Sequence, residues 1–516
     1  MDIHILYEGI EAEEMTGETK TPVVPAETMQ EKRKRQNDEE PEVQAVFSVR
    51  YEAESVRFFY EKLPAAEASI IEENAPAGEM LLPEEAYALS GPVTDWEDRI
   101  RTKNEVKAVV YKALTEMTGK QMPWGDLTGI RPTKIPMKVL DDGGSREEAE
   151  KLLKETYFVS EEKTQLALDT AVLEKSLLDT IETETGYSLY VGIPFCPSIC
   201  LYCSFGSHRL EQWKKMVDPY LQTMYKELRF IADEMQDRHL DTIYIGGGTP
   251  TSITAEQLDE LLGVLDDTFP LRELREFTVE AGRPDTITED KLRVLRKYPV
   301  TRISINPQTM NQKTLDLIGR GHTVEETIEK FRLARKLGFD NINMDLIVGL
   351  PGEGEEEVLH TLEEVRKLDP DSLTVHSLAL KRATRLNLFK DQYRPVSFEN
   401  SARIMDKTME CARAMGMNPY YLYRQKNMAG NFENVGYARP GKEGLYNILI
   451  MEEKQSILAA GSGASTKFVF DGGKRIERAE NVKDLRNYID RIDEMLERKK
   501  KGIDLYLKPQ GGCSAG

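Results

Sequence analysis

The chain is expected to be an α/β protein whose middle part folds as a barrel or partial barrel of six parallel strands. An α+β region precedes it and a smaller, mainly helical region follows. Three observations carry this expectation. From Ser188 onward, apolar runs of strand length alternate with amphipathic helical patterns, a rhythm that means a parallel sheet. No G-x-G-x-x-G opens the first helix, which disfavours a dinucleotide-binding fold. Three cysteines follow the first run directly, at the strand end where barrels place their active sites.

The six runs are residues 189–193, 242–245, 277–279, 302–305, 341–348 and 373–378. Between the first two, Leu221, Met224, Tyr225, Leu228, Ile231, Ala232 and Met235 repeat at helical spacing. Leu258, Leu261, Leu262 and Leu265 form a second helical face, with Thr254 as N-cap ahead of Gln257. Upstream, residues 43–47 and 48–51 read as strands, and Val106, Val109, Val110, Ala113, Leu114 and Met117 as one helix face. The pattern is helical again from Arg146 to about Thr183, after a turn-rich stretch at 123–132 (PWGDLTGIRP) that carries no evident chemistry. The segment 31–42 (EKRKRQNDEEPE) sets a basic run against an acidic one and reads as a solvated loop.

Composition bounds the function. With 516 residues, 40% hydrophobic and 31% charged, the chain is ordinary for a globular protein of two or three domains. A net charge of −20 argues against general nucleic-acid or membrane-surface binding. There is no signal-peptide core near the N-terminus and no run of 18 apolar residues. Together with sparse thiols this leads to the expectation of a reducing cytoplasm and no membrane span.

The cysteines are the most specific signal. Cys196, Cys200 and Cys203 are spaced C-x3-C-x2-C in a chain with only five cysteines. The odd count argues against a disulfide framework. A zinc site is the alternative, with His208 as a fourth ligand. The favoured reading is an iron–sulfur tripod: a [4Fe-4S] cube wants four ligands, and three thiolates leave one iron open for chemistry. Cys411 falls in a helical pattern and reads as a core thiol; Cys513 lies in a Gly-rich tail and reads as exposed.

Other strand ends add polar stations. Gly246-Gly247-Gly248-Thr249-Pro250 follows the second run, and consecutive glycines let a ligand approach the backbone closely. Glu280 ends the third run, Gln308 the fourth, and Asp345 lies within the fifth. An acid on an otherwise apolar strand is costly to bury unless it is paired or binds something. Four such stations beside a tripod point to one shared ligand.

These motifs resemble the radical S-adenosylmethionine (SAM) superfamily. The segments 190–196 (YVGIPFC), 302–308 (RISINPQ), 317–323 (LIGRGHT) and 343–351 (NMDLIVGLP) are similar to its oxygen-independent coproporphyrinogen III oxidase group. The resemblance spans roughly residues 188–470, and 420–427 (YYLYRQKN) with the Trp124 segment narrows it to one branch. It implies a partial (β/α)6 TIM-like radical SAM barrel at 186–390. It also implies an accessory domain of unassigned role at 1–185 and a substrate-covering region with a disordered tail at 391–516. Cys196, Cys200 and Cys203 would hold the [4Fe-4S] cluster. SAM would fill its open iron, with Gly247, Gly248 and Thr249 taking the methionyl amino group. Glu280, Gln308, Arg320 and Asp345 match SAM-contacting positions, and Tyr202, Ile347 and Ala379 would line the adenine side. Tyr190 would sit beside SAM and substrate as the catalytic residue.

The implied activity is that of a radical SAM oxidoreductase, a coproporphyrinogen dehydrogenase. It decarboxylates two propionates of a porphyrinogen, a tetrapyrrole, to vinyl groups, with electrons from an unidentified donor. Lys381, Arg382, Arg385, Arg424 and Lys426 are candidates for the substrate carboxylates. The chain departs from the decarboxylase branch at Gly192, where that branch has His, and at Phe205, where it has Cys. A haem-chaperone branch shares the Phe but has His-Asn where this chain has Tyr446-Asn447. Haem carriage and haem-modifying methyl transfer are therefore the alternatives.

Overall fold

The computed structural model describes residues 5–8, 45–51, 55–62, 87–204, 206–379, 400–425 and 432–508. Expectations for segment 31–42 and for Phe205, Lys381, Arg382, Arg385, Lys426 and Cys513 lie outside the described residues. Two compact units emerge: Met1–Thr128 with Lys151–Thr164, and Gly129–Glu150 with Gln165–Gly516.

The first unit is a four-stranded sheet with a helix. Strands β1 (Ile5–Glu8), β2 (Ala45–Tyr51), β3 (Ser55–Lys62) and β4 (Tyr87–Pro92) lie in that order, β1 parallel to β2 and the others antiparallel. Helix α1 (Arg99–Thr118) lays Val109, Ala113 and Met117 onto Val49, Val56, Phe58 and Tyr60, along the face expected from the sequence. Asp98 caps its start, its carboxylate accepting from the N–H groups of Ile100 and Arg101. Gly119, at φ +64°, ends it as only glycine does without strain.

The second unit is built on an eleven-stranded sheet. Six parallel strands form its centre: β5 (Gly186–Ile193), β8 (His239–Gly247), β9 (Glu276–Gly282), β10 (Arg302–Ile305), β11 (Ile342–Val348) and β12 (Ser372–Ser377). Each matches one of the six apolar runs. The short strands β6 (Phe195–Cys196) and β7 (His208–Arg209) pair with each other just after β5. Helices α2 (Val217–Glu234), α3 (Ala255–Thr268), α4 (Glu289–Lys297), α5 (Val324–Lys336) and α6 (Glu355–Leu368) make the crossovers. Thr254 and Gln257 form the capping box of α3, as their spacing predicts.

The C-terminal stretch adds helices α7 (Ala402–Ala414), α8 (Leu445–Glu452) and α9 (Ile492–Leu507), and also five strands. These strands are β13 (Asn418–Arg424), β14 (Glu433–Ala438), β15 (Ser456–Ala460), β16 (Ser465–Phe470) and β17 (Arg475–Glu480). They widen the central sheet at both ends, giving the order β13-β14-β12-β11-β10-β9-β8-β5-β15-β16-β17. The expectation of a mainly helical region did not include them. Residues 418–424 (NPYYLYR) hold too few polar residues to show a period of two, and β15 is buried at every position. Cys411, expected in the core, is half-buried on α7, its thiol donating to the Leu362 carbonyl at 3.7 Å.

Alternation along the central strands explains the shape. Leu189, Val191, Ile243, Ile245, Phe277, Val279, Ile303, Ile305, Met344, Leu346, Leu373 and Val375 are buried on one face. Ser188, Tyr190, Thr242, Tyr244, Thr278, Glu280, Ser304, Asn343, Asp345, Thr374 and His376 occupy the other, in matched register across the sheet. Successive side chains of a strand point to opposite faces, so one face is apolar under the helices and the other polar.

The C-terminal helix is fixed by a buried ion pair. The Lys499 ammonium donates to Glu227 of α2 at 2.9 Å and to the Ala459 carbonyl at 2.8 Å. Glu227 also accepts from Asn481, Tyr488 and the Gly461 N–H. Removing one partner of a buried pair strands the other charge. Lys499→Met is expected to lower unfolding stability by about 3 kcal/mol, read from the denaturant midpoint.

Candidate functional site

Five of the six central strands carry a half-buried position in the middle or C-terminal part of a mostly buried run, while β10 is buried throughout. Those positions are Tyr190 on β5, Tyr244 on β8, Glu280 on β9, Asp345 on β11 and His376 on β12. All five line one cavity of about 500 Å³, a size usual for a small-molecule site. The same cavity is lined by Cys196, Cys200 and Cys203, and by Tyr202, Gly247, Gly248, Thr249, Gln308, Arg320, Ile347 and Ala379. The structure thus brings every residue singled out for the cluster and SAM to one place.

The cysteine loop is tied down on three sides. The Gly248 N–H donates to the Ile193 carbonyl at 2.7 Å and the Thr249 N–H to the Phe195 carbonyl at 2.8 Å. These bonds splice the glycine turn after β8 onto the chain entering the loop. The pairing of β6 with β7 closes the loop's two ends. Across the mouth, the Leu201 N–H donates to the Ile318 carbonyl at 2.9 Å and the Ser198 hydroxyl to the Gly319 carbonyl at 3.0 Å. From the end of β9, Arg283 donates to the Ser198 carbonyl and hydroxyl at 3.2 and 2.7 Å.

Two glycines are sterically required. Gly247 sits at φ +110°, a left-handed conformation, and Gly248 leaves no room for a side chain. A Cβ on Gly248 would lie 2.7 Å from the Phe195 oxygen and 3.1 Å from the Cys196 sulfur. Gln308 holds φ +69°, rare and strained for a residue with a side chain. Its N–H donates to the Asp345 carbonyl and its carbonyl accepts from the Ile347 N–H, so β11 holds it there.

Charges of both signs line the cavity. Arg283 and Arg320 lie on the loop side, both almost fully buried. Arg320 donates to the Asn306 carbonyl at 3.0 Å and to the Tyr202 hydroxyl at 2.9 Å. Glu280, Asp345 and Arg302 line the same cavity. Burial in the cavity wall pushes Glu280 up to about 7, with Asp345 adding to it and the hydrogen bond from Tyr244 opposing it. Asp345 accepts from Asn343 at 2.7 Å. Burial, reinforced by the Arg320 charge, lowers His322 to about 3, so it is neutral. Burial likewise raises the Tyr190, Tyr244 and Tyr446 phenols, which stay protonated.

Sequence reasoning picked out Tyr190 but missed that it belongs to an aromatic wall. Tyr244 stacks between Tyr446, at 4.6 Å, and Tyr190, at 6.4 Å between ring centroids. Tyr244 stands two residues before Gly246, so period-two counting back from the glycine turn would have found it. Tyr446 comes from α8, and no local pattern links that helix to the barrel. Arg283 was also missed: it lies past the strand end, where alternation no longer applies. Arg424, proposed as a carboxylate contact, is not among the cavity residues. It is buried in β13 opposite Glu433 of β14.

The site fits the cofactor set that the donors imply. Three thiols on one loop face the cavity. Among the described residues no three His, Cys, Asp or Glu side chains gather as one metal ion requires; a cube instead spreads three thiolates over three irons. His208 packs on Trp213, with ring centroids 5.0 Å apart, and is not a cavity residue. The alternative zinc site therefore loses its fourth ligand. Gln308 Oε1 and Arg320 Nε are buried without a partner. Unpaired buried polar atoms are costly, and a zwitterionic ligand supplies an ammonium and a carboxylate to satisfy them.

The likenesses to known proteins agree on one superfamily. Residues 190–365 match the Radical SAM superfamily. Over 421 residues the chain is 44% identical to the oxygen-independent coproporphyrinogen-III oxidase-like protein HemZ of Bacillus subtilis (strain 168), covering 80% of this chain and 84% of that protein. It is 32% identical to the heme chaperone HemW of the same organism, over 60% of this chain and 76% of that one. It is 35% identical to the oxygen-independent coproporphyrinogen III oxidase of Salmonella typhimurium, over 38% of this chain and 42% of that enzyme. No helix among the described residues is long and apolar enough to cross a membrane. An identity of 44% across four-fifths of the chain makes it a member of the radical SAM superfamily, in the oxygen-independent coproporphyrinogen-III oxidase-like group, with a [4Fe-4S] cluster and SAM as its cofactors.

Proposed function

We propose that the protein oxidatively decarboxylates coproporphyrinogen III to protoporphyrinogen IX without oxygen. The observation that carries this reading is the shared cavity, in which a three-thiol loop, a charged cradle and a wall of tyrosines meet. When bound, the cluster and SAM supply a one-electron cleavage that yields a hydrogen-abstracting radical. Loss of a propionate hydrogen atom to that radical would be followed by loss of CO2 and transfer of one electron to an external acceptor, leaving a vinyl group. An external donor supplies the electron that starts each cycle.

The chain's residues have separable tasks in this reading. Cys196, Cys200 and Cys203 hold the cluster. Arg320 faces the SAM carboxylate, and Glu280 and Asp345 face its positive groups. The backbone of Gly247, Gly248 and Thr249 lets the methionyl end approach. Tyr202, Ile347 and Ala379 line the adenine side. Tyr190, stacked along Tyr244 and Tyr446, separates the reacting carbon from water.

The likeness to HemW supports a second reading, haem binding and transfer. Against it, Tyr446 takes the place of the chaperone branch's His, and burial keeps its phenol protonated and a poor iron ligand. Anaerobically reconstituted protein with SAM and reductant is expected to release 5′-deoxyadenosine faster when coproporphyrinogen III is added, with protoporphyrinogen appearing. Stoichiometric haem binding without that turnover would support the carrier instead, and a methylated haem product the methyltransferase.

Tyr190→Ala, which opens the tyrosine wall to water, is expected to lower turnover while leaving the cluster's absorption spectrum intact. Unchanged turnover would remove Tyr190 from the chemistry. Glu280, raised to about 7, is protonated below that pH and ionised above it. The kcat/KM for SAM should therefore climb with pH up to about 7 and then level, since this ratio reports the free enzyme. Glu280→Gln should flatten that profile.

A further inference from the structure

Arg283 holds its position through contacts that do more than brace a loop. It is 4% exposed, and its Nη1 donates to Ser198 and also to the Cys200 sulfur, at 3.8 Å. Its Nε and Nη2 donate to the two carboxylate oxygens of Asp285, at 3.0 and 2.7 Å. Burial alone would raise Asp285, but the Arg283 bonds and charge outweigh it and hold the carboxyl below its ordinary value. Arg320, a second cation beside the loop, directs its donors to Tyr202 and the Asn306 carbonyl. His322, beside Arg320 and Asp285, is neutral.

A guanidinium touching a thiolate acts on the metal behind it. Reducing an iron–sulfur cluster adds one negative charge, and hydrogen bonds to the sulfurs and the local net charge set its potential. A buried cation donating to one ligand sulfur favours the reduced state, and a buried environment strengthens the effect. Asp285 works in the opposite direction by partly neutralising that cation. We propose that Arg283, acting through its hydrogen bond to Cys200, sets the reduction potential of the cluster, with Asp285 as the counterweight. The proposal rests on the reading that Cys200 is a cluster ligand. A purely mechanical role, clamping Ser198 and pairing with Asp285, would predict cluster loss on substitution but no change in the potential of a cluster that remains.

The test is a redox titration of the anaerobically reconstituted full chain, followed by electron paramagnetic resonance, with iron and sulfide measured in each sample. Arg283→Gln is expected to lower the potential, cutting the ratio of reduced to oxidised cluster at a fixed poise at least tenfold, or 59 mV for one electron. Arg283→Lys keeps the charge but loses the fork and should fall between the two. Asp285→Asn removes the opposing charge and should raise the potential. An Arg283→Gln protein with a full cluster and an unshifted or raised potential overturns the proposal. If that variant holds no cluster, Asp285→Asn decides: a raised potential supports the role and an unshifted one ends it. A native chain that assembles no four-iron cluster removes the ligand assignment of Cys200 itself, and the iron content distinguishes that failure from the others.

Discussion

Two backbone hydrogen bonds, from Gly248 to Ile193 and from Thr249 to Phe195, join the glycine turn after β8 to the start of the cysteine loop. Everything functional in this molecule is placed relative to that splice. It fixes where Cys196 begins, and it brings the Thr249 hydroxyl to 3.4 Å from the Cys196 sulfur. It also excludes a side chain at Gly248, where a Cβ would meet both the Phe195 oxygen and that sulfur. The turn is glycine-rich for two reasons at once, the left-handed φ of Gly247 and the crowding at Gly248. A reactive ligand can then lie against bare backbone.

Around the splice, the sheet solves an unusual packing problem. A parallel sheet is ordinarily apolar on both faces, yet here the inner face carries hydroxyls, amides, carboxylates and a guanidinium. They stay folded because they satisfy one another. Asn343 donates to Ser304 and Asp345, Ser372 and Thr374 donate to Asn343, and Tyr244 donates to Glu280. Arg302, fully buried, donates to Ser372 and Tyr420. Such a network is costly when incomplete. Two of the buried atoms left without partners, Gln308 Oε1 and Arg320 Nε, belong to residues that line the cavity. Stability and function meet there, since a bound zwitterion would complete what the protein leaves open.

The C-terminal stretch anchors this arrangement as well as covering it. Glu227 and Lys499 pin α9 to α2, and Tyr220, two turns before Glu227 on the same helix face, donates to the Gly192 carbonyl at the end of β5. The anchor thus reaches the strand that delivers the cysteine loop. Glu276 on β9 accepts from the Leu445 N–H at the start of α8 and so positions the helix that supplies Tyr446. Elements far apart in sequence thereby share in holding the aromatic wall.

Much of this was legible before any coordinates. The thiol spacing, the glycine turn and the strand-end residues Glu280, Gln308 and Asp345 are local signals, each written within a few residues, and all converge in the cavity. The six central strands were readable as short apolar runs alternating with amphipathic helical patterns, because strands covered by helices are largely buried. Tertiary structure alone decided what crosses between segments. It brought Tyr446 from α8 onto Tyr244, Arg283 onto Cys200, and five C-terminal strands into the central sheet. It also withdrew Arg424 from the cavity by pairing its strand with β14. The physical reason is the same in each case: a periodic pattern tells which face of an element is buried, but the partner that covers it is chosen by packing across the whole chain.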